Sequence, residues 1–228
     1  YNKPILSVVF RNNAGLESYW DYTETSAGRA GTGYVNDYTG NLVWTKSHLG
    51  YGGNRMPVSI THVYNANDAD NASSDRFDLG NGWRTNYHQR VVQKTLNNVT
   101  YYMWTDADGT RHYFPYDPVG KNYKDEDGLG LTISDTGTGA TTHCLKDKDG
   151  NRSYFDEFGR LTEIRNNQAT KSKIKITYTT SEGPRIYQIK DGIDRTYTFV
   201  YVDGRLDRID YTGTGTTVLD SVSFDYNA

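Results

Sequence analysis

A short pattern recurs in the last third of this chain and limits what the chain can fold into. Gly159-Arg160-Leu161-Thr162-Glu163-Ile164 is echoed by Gly204-Arg205-Leu206-Asp207-Arg208-Ile209, and a looser copy, Gly183-Pro184-Arg185-Ile186-Tyr187-Gln188-Ile189, lies between them. Aromatic strands precede the copies: Ser153-Tyr154-Phe155, then Ile174 to Tyr178, then Tyr197 to Tyr201. The closing isoleucines, Ile164, Ile189 and Ile209, are 25 and 20 residues apart. A repeat of that length is one supersecondary unit, too small to bury its own apolar face, so it must stack on its neighbours. The chain therefore reads as part of a β-repeat array, which points to a scaffold and away from an isolated catalytic domain.

Composition agrees. With 20 Tyr, 7 Phe and 4 Trp against 2 Met, and 23 Gly among 228 residues, the chain suits short aromatic strands joined by tight turns. No stretch keeps a 3.6-residue apolar period for several turns, so long helices are not expected. The net charge is −3 and no basic stripe shows along the sequence, which argues against nucleic acid as a partner. No apolar run approaches the ~20 residues a membrane span needs. Cys144 stands alone, which excludes an intrachain disulfide and a Cys-based zinc cluster. The chain opens at Tyr1 without a charged-then-apolar leader, so it is expected to be a piece of a longer protein with any signal peptide upstream.

Along the chain, residues 5–10 read as a strand and Asn12 to Gly15 as a turn. Residues 15–33 read as a linker whose Tyr19, Trp20 and Tyr22 dock on a surface. Val35 to Tyr64 reads as paired strands, with Val58, Ile60, His62 and Tyr64 alternating against Ser59, Thr61 and Val63. Asn65 to Asp75 is a polar loop. Hairpins are expected to turn at Asp106–Gly109 and Asp147–Gly150, through type I′ turns, with a degenerate third at Asp191-Gly192. Tyr197, Phe199 and Tyr201 should share one buried face. The alternating strand at Val222, Phe224 and Tyr226 is expected to pair with a further repeat, and to self-associate when that repeat is missing.

The residues resemble the bacterial Rhs/YD-repeat proteins, a family that includes wall-associated repeat proteins and, distantly, the teneurins. The resemblance rests on Thr39-Gly40-Asn41-Leu42, on Met56 to Ile60 with Tyr64, and on Leu79-Gly80-Asn81-Gly82-Trp83-Arg84. It continues through the Gly109 and Gly150 turns, Gly159-Arg160-Leu161, Tyr178, Tyr201 and Gly204-Arg205-Leu206. It covers roughly residues 33–228. The fold implied is all-β: antiparallel hairpins, with a sandwich-like lead-in domain running into a β-repeat (YD) sheet. Its expected divisions are a strand and connector from an upstream module (1–33), the lead-in domain (34–135) and the first hairpin repeats (136–228). The resemblance implies a non-enzymatic structural piece of a large secreted or cell-surface protein. Such a piece starts or plugs a β-shell that, in some members, encloses a C-terminal toxin. The partners implied are further repeats and the C-terminal domain of the same chain, with cell-wall glycan as an additional candidate. About three repeats are present, so no shell should close within this chain. The strict Tyr-Asp pair is also missing at Tyr178-Thr179 and Tyr201-Val202; only Phe155-Asp156 keeps the acid.

No catalytic constellation is visible, and no cofactor is expected. The Asp-x-Asp-Gly stretches offer Asp106, Asp108, Asp147 and Asp149 as calcium ligands, but a full acidic loop with a downstream Glu is missing, and turn chemistry explains them better. The five histidines show no metal spacing and read as packing residues. Cys144 reads as a small core residue. Asp117-Pro118-Val119-Gly120 matches the letters of the family's self-cleavage segment, Asp-Pro-x-Gly, without its surroundings, and reads as a turn. The aromatic wealth has two readings, a packed sheet face or a sugar-binding platform. Period-two placement of Tyr and Phe favours packing, and the adhesive carbohydrate-binding module is the alternative function.

Overall fold

The structure, a computed structural model, describes residues 15–53, 55–69, 77, 79–168, 172–180 and 185–226. The strand expected at 5–10, the turn at Asn12, residues 70–75 of the polar loop and the Gly183-Pro184 start of the looser repeat lie outside the described residues.

The chain is nearly all β and antiparallel, as the sequence implied. A small sheet contains β1 (Tyr22–Ser26), β2 (Thr32–Asn36), β3 (Leu42–Gly50), β4 (Ser59–Asn65) and β5 (Trp83–Thr85), ordered as in the sequence. A second, open sheet has 13 strands and is one long meander. Its first strands are β6 (Arg90–Leu96), β7 (Val99–Thr105), β8 (Arg111–Asp117), β9 (Asn122–Lys124) and β10 (Thr132–Asp135). Next come β11 (His143–Lys146), β12 (Arg152–Phe155), β13 (Leu161–Arg165) and β14 (Ile174–Tyr178). The sheet ends with β15 (Ile186–Lys190), β16 (Thr196–Val202), β17 (Arg205–Gly213) and β18 (Asp220–Ser223). The division expected after residue 135 falls inside the β10–β11 hairpin, where Asp135 pairs with His143 and the ladder is unbroken.

One face of the large sheet is apolar along its whole length. Val91, Tyr102, Phe114, Ile133, Leu145, Phe155, Ile176 and Tyr197 come from strands along its length and share one core with Leu49 and Ile60 of the small sheet and Val58 just before β4. Each such side chain contributes ~1.5–3 kcal/mol on burial. The small sheet thus fills the apolar face of the large one. Tyr197 and Phe199 are fully buried and Tyr201 packs against the same core, as the alternation required.

The repeat pattern has a specific geometry. In Gly-Arg-Leu-x-x-Ile the two apolar residues are three apart, so an even strand would point them to opposite faces. A β-bulge corrects this at each copy. Phe155 opposes Leu161 and Tyr154 opposes Glu163, leaving Thr162 extra. Tyr178 opposes Ile186 and Thr177 opposes Gln188, leaving Tyr187 extra. Tyr201 opposes Leu206 and Val200 opposes Arg208, leaving Asp207 extra. Both apolar residues of each copy then reach the core: Leu161 with Ile164, Ile186 with Ile189, Leu206 with Ile209. Bulges also raise the local twist, and they recur at intervals along this sheet.

The expected hairpins form, but their turns are not of the expected type. At Asp106–Thr110 the Asp106 N–H donates to the Thr110 carbonyl and the Gly109 N–H donates back to the Asp106 carbonyl. Gly109 has φ 95°, whereas Ala107 and Asp108 keep ordinary negative φ. This is a three-residue loop with Gly in the left-handed position, not a type I′ turn, which needs positive φ at both central residues. The I′ geometry appears instead at Asn97-Asn98 (φ 50° and 63°) and Asp203-Gly204 (φ 49° and 79°).

Residues 15–33 are not a plain linker. Residues 22–26 form β1, paired with β2 from Tyr22↔Asn36 to Ser26↔Thr32. This strand gave no apolar signal because it is an exposed edge strand. Trp20 stacks on Tyr38 at 5.3 Å, and the Tyr22 hydroxyl donates to the Gly15 carbonyl. Residues 66–69 of the polar loop form a single helical turn. Among the described residues, no helix is long and apolar enough to cross a membrane.

Candidate functional site

Two arrangements stand out, a lock repeated between hairpins and a buried polar hub that occurs once. The lock starts from the Arg-Leu step of each repeat. Arg160 lies over the ring of Tyr178 at 4.6 Å, and the Tyr178 hydroxyl donates to the Leu161 carbonyl at 2.8 Å. Arg185 lies over Tyr201 at 5.3 Å, and the Tyr201 hydroxyl donates to the Ile186 carbonyl at 3.0 Å. Arg205 lies over Tyr226 at 5.3 Å, and the Tyr226 hydroxyl donates to the Leu206 carbonyl at 2.8 Å. Each tyrosine therefore closes the unit before it, and the bulge presents the carbonyl it needs. Tyr226 is the third lock tyrosine, 21 residues from its arginine, a spacing that no local period along the chain reveals.

The acid of the repeat caps its own turn. Asp156 Oδ1 accepts the N–H groups of Phe158 and Arg160 at 3.0 and 2.8 Å, while its other oxygen accepts from Arg160 Nε at 2.7 Å. Asp147 and Asp191 repeat this pattern of accepted backbone N–H groups. Asp106 accepts from Asp108, Gly109 and Thr110. Thus Asp106 and Asp147, two of the candidate calcium ligands, are occupied in turn capping. The Asp149 carbonyl accepts from Asn167, and Asp117 caps Val119 in an ordinary turn. Among the described residues, no group of three or more His, Cys, Asp or Glu side chains is arranged to hold a metal ion.

Repeat turns also dock on earlier parts of the chain. Val91 N–H donates to the Gly159 carbonyl, and a Cβ on Gly159 would fall 1.8 Å from the Val91 oxygen, so only glycine fits there. Arg195, paired with Asp191, donates to the carbonyls of Tyr51 and Gly52. Gly150 sits in its turn with φ 89°, and Gly204 in the I′ turn before Arg205.

The hub surrounds the first of these turns. His112 is 2% exposed and stacks on Trp104 at 5.0 Å. Its Nδ1 lies 3.0 Å from Asp127 Oδ2; its Nε2 lies 3.4 Å from Asp106 Oδ2 and 3.8 Å from Glu17 Oε1. Burial alone would lower its pKa, but the bonds to Asp106 and Asp127 and the charges of Asp106 and Glu17 raise it to about 9. Next to it, burial and the Asp106 charge push Asp108 up to about 7. Asp108 accepts the Leu16 N–H at 2.9 Å, and Thr110 Oγ1 accepts the Gly15 N–H at 2.7 Å. Residues 15–17 are thereby held on the β7–β8 turn. The hub is enclosed, and its geometry is that of an anchor. Sequence reading took His112 for a packing residue; the carboxylates that surround it come from three separate segments.

The segments around residues 40–42 and 80–84 converge on the same turn. Asn65 is fully buried and donates to the Asp108 carbonyl at 3.1 Å; Asn41 donates to Asn65 Oδ1 at 3.1 Å. Gly40 (φ 72°) turns the chain before Asn41, and the partly buried Leu42 opens β3. Gly80 and Gly82 (φ 101° and 77°) form the turn before Trp83, which is half-buried against Tyr64 at 5.4 Å. The fully buried neighbour is Arg84, paired with Asp68.

At the far end of the small sheet, His62 and His48 meet edge to face at 4.6 Å, with Phe224 against both. Burial lowers the pKa of His62 to about 3 and of His48 to about 4, so both are neutral. Cys144 is buried, as expected of a small core residue, on the face of β11 opposite Leu145 and outside the main apolar cluster.

Residues 32–114 match a family described as a domain of unknown function (DUF6531), a match that covers β2 to β5 of the small sheet and β6, β7 and most of β8 of the large one. The chain is 28% identical over 145 residues to the tRNA nuclease WapA of Bacillus subtilis (strain 168), a match covering 64% of this chain and 5% of that protein. The tRNA3(Ser)-specific nuclease WapA of Bacillus spizizenii is 27% identical over the same length. The chain thus resembles a short segment, 5% of the length, of much larger proteins named as nucleases.

Proposed function

We propose that this chain is a non-enzymatic scaffold, the lead-in domain and first repeats of a β-shell in a large secreted or cell-surface Rhs/YD-repeat protein. The observation that carries the reading is the threefold Arg–Tyr lock along one unbroken sheet, with the small sheet filling its apolar face. A device that joins each hairpin to the next is suited to propagating an array. The buried hub then fixes the start of that array to the segment before it. The names of the similar proteins fit a parent that carries a nuclease elsewhere in its length.

The test is a parent protein lacking residues 15–114, compared with the intact one for protease resistance of its C-terminal domain. Loss of protection in the deletion supports a plug. Equal protection would sink it. One observation favours the adhesive alternative: Tyr38 is 82% exposed and forms an aromatic run with Trp20 and Tyr19. Binding to isolated cell-wall glycan that is lost in Trp20→Ala would support that module.

A further inference from the structure

The large sheet carries a row of cations on the face turned away from the core. Lys124 opposes Thr132, Thr132 opposes Lys146, Lys146 opposes Arg152, and Arg152 opposes Arg165. These are directly paired positions on β9 to β13, so the side chains form one rung across five adjacent strands. At ~4.8 Å per strand the rung is about 19 Å long. Their neighbours Tyr123, Ile133, Leu145 and Ile164 point into the core, which places the rung on the opposite face.

No carboxylate occupies a position of the rung itself, and the one beside it, Glu163, holds its last member. Arg165 pairs with Glu163 from its own strand and lies over the Tyr154 ring at 4.5 Å. Among the described residues, Lys124, Lys146 and Arg152 have no ion pair. Like charges placed directly opposite each other destabilise a sheet. Here the cost is taken at two consecutive pairings, Lys146↔Arg152 and Arg152↔Arg165, in a chain whose net charge is −3. The rung also borders a cavity of about 440 Å³, whose lining includes Thr132, Ser134, Lys146, Arg152, Tyr154 and Arg165. The hydroxyls add hydrogen-bond donors beside the cations.

We propose that this rung binds a linear, phosphate-bearing polyanion laid across the strands. A single small anion would meet two of the three free cations; a chain of phosphates meets Lys124, Lys146 and Arg152 together, with the Glu163-paired Arg165 at the end of the row. Single-stranded nucleic acid is disfavoured because its bases need open aromatic faces for stacking, and the ring at the rung, Tyr154, is covered by Arg165. The ligand is therefore a chain of phosphates without bases. This site lies on the other face of the sheet from the plug, so it stands or falls independently of the shell.

Calorimetric titration of the intact chain with inorganic polyphosphate tests it, alongside orthophosphate and a single-stranded oligonucleotide of equal charge. We expect polyphosphate to bind, with a plot of log K against log salt of slope about −2 to −3, as for roughly three to four phosphate contacts. The double variant Lys146→Gln with Arg152→Gln should lose about tenfold in affinity at low salt. It should melt no lower than the parent, since two like-charge pairings are relieved. Lys124→Gln, at the exposed end of the rung, should lose about threefold. Arg29→Gln, an exposed cation in the turn between β1 and β2, should change nothing. Polyphosphate binding that survives both rung variants would overturn the proposal, as would orthophosphate binding equally well. Tighter binding of the oligonucleotide would overturn its base-free ligand.

Discussion

The N-terminal region, up to the β7–β8 turn, and the repeat region are both built from antiparallel hairpins but held together by opposite strategies. Between β12 and Tyr226 one small device is used three times, an arginine on a tyrosine whose hydroxyl meets a bulge carbonyl. In the N-terminal region, stability is concentrated in polar centres that occur once: His112 among three carboxylates, Asn65 with Asn41, Arg84 with Asp68. A redundant lock fails gradually, because each loss leaves the others in place. A single buried charge network fails at once, since removing one member strands the rest in a low-dielectric interior.

The largest expected effect follows from that difference. His112→Ala leaves Asp106, Asp127 and Glu17 facing one another without their cation, and should cost ~3–5 kcal/mol of unfolding free energy. Denaturant titration checks it; a cost below that of a single lock tyrosine would reverse the comparison. The pH response should come next in size, and its sign separates the two ends of the small sheet. His112 is raised from 6.5 to about 9, so its stabilisation is complete below pH 6.5 and lost as pH rises through about 9. Asp108, raised from 3.8 to about 7, acts in the same direction and loses its contribution as pH rises through about 7. His62 and His48, lowered to about 3 and about 4, contribute above pH 6.5 and lose that contribution as pH falls through those values. Hydrogen exchange should therefore show residues 15–17 opening in alkali and the Phe224 contact opening in acid. Opening of both ends on the same side of neutrality would break the argument.

Smaller changes test the repeats. Tyr178→Phe and Tyr226→Phe each remove one hydroxyl bond and should each cost ~1 kcal/mol. Separated by a whole unit, the two should add within ~0.5 kcal/mol; strong coupling would show that the locks act as one body. Least of all is association. The outermost described strand, β18, is short and mostly exposed, which limits pairing with other chains. Light scattering should show weak self-association at high concentration, and extension by further repeats should abolish or move it.

How much of this was legible beforehand differs from element to element. The apolar-aromatic runs around Asp106–Gly109 and Asp147–Gly150 announced their hairpins, because strand alternation and turn residues are local properties. The turn type was misjudged there, since Asp-Gly letters suit both geometries and the cap from Asp106 adds an extra residue to the loop. The edge strand β1 was invisible, because an exposed strand needs no apolar period. The repeat positions Arg160, Leu161, Tyr178, Tyr201, Arg205 and Leu206 were readable as a pattern, but their partnership was not, since arginine and tyrosine are 16 to 21 residues apart.

What the sequence determined alone is the class of fold and its repeating character, both fixed by short-range periodicity. Tertiary structure decided which charges meet. Glu17 reaches His112 across 95 residues of chain, and the rung of Lys124, Lys146, Arg152 and Arg165 is assembled from four strands. No basic stripe could be read along the letters, because a β-meander gathers into one row residues that the chain itself keeps apart. Distance along a sequence says little about distance across a sheet, where strand register alone sets which side chains are neighbours.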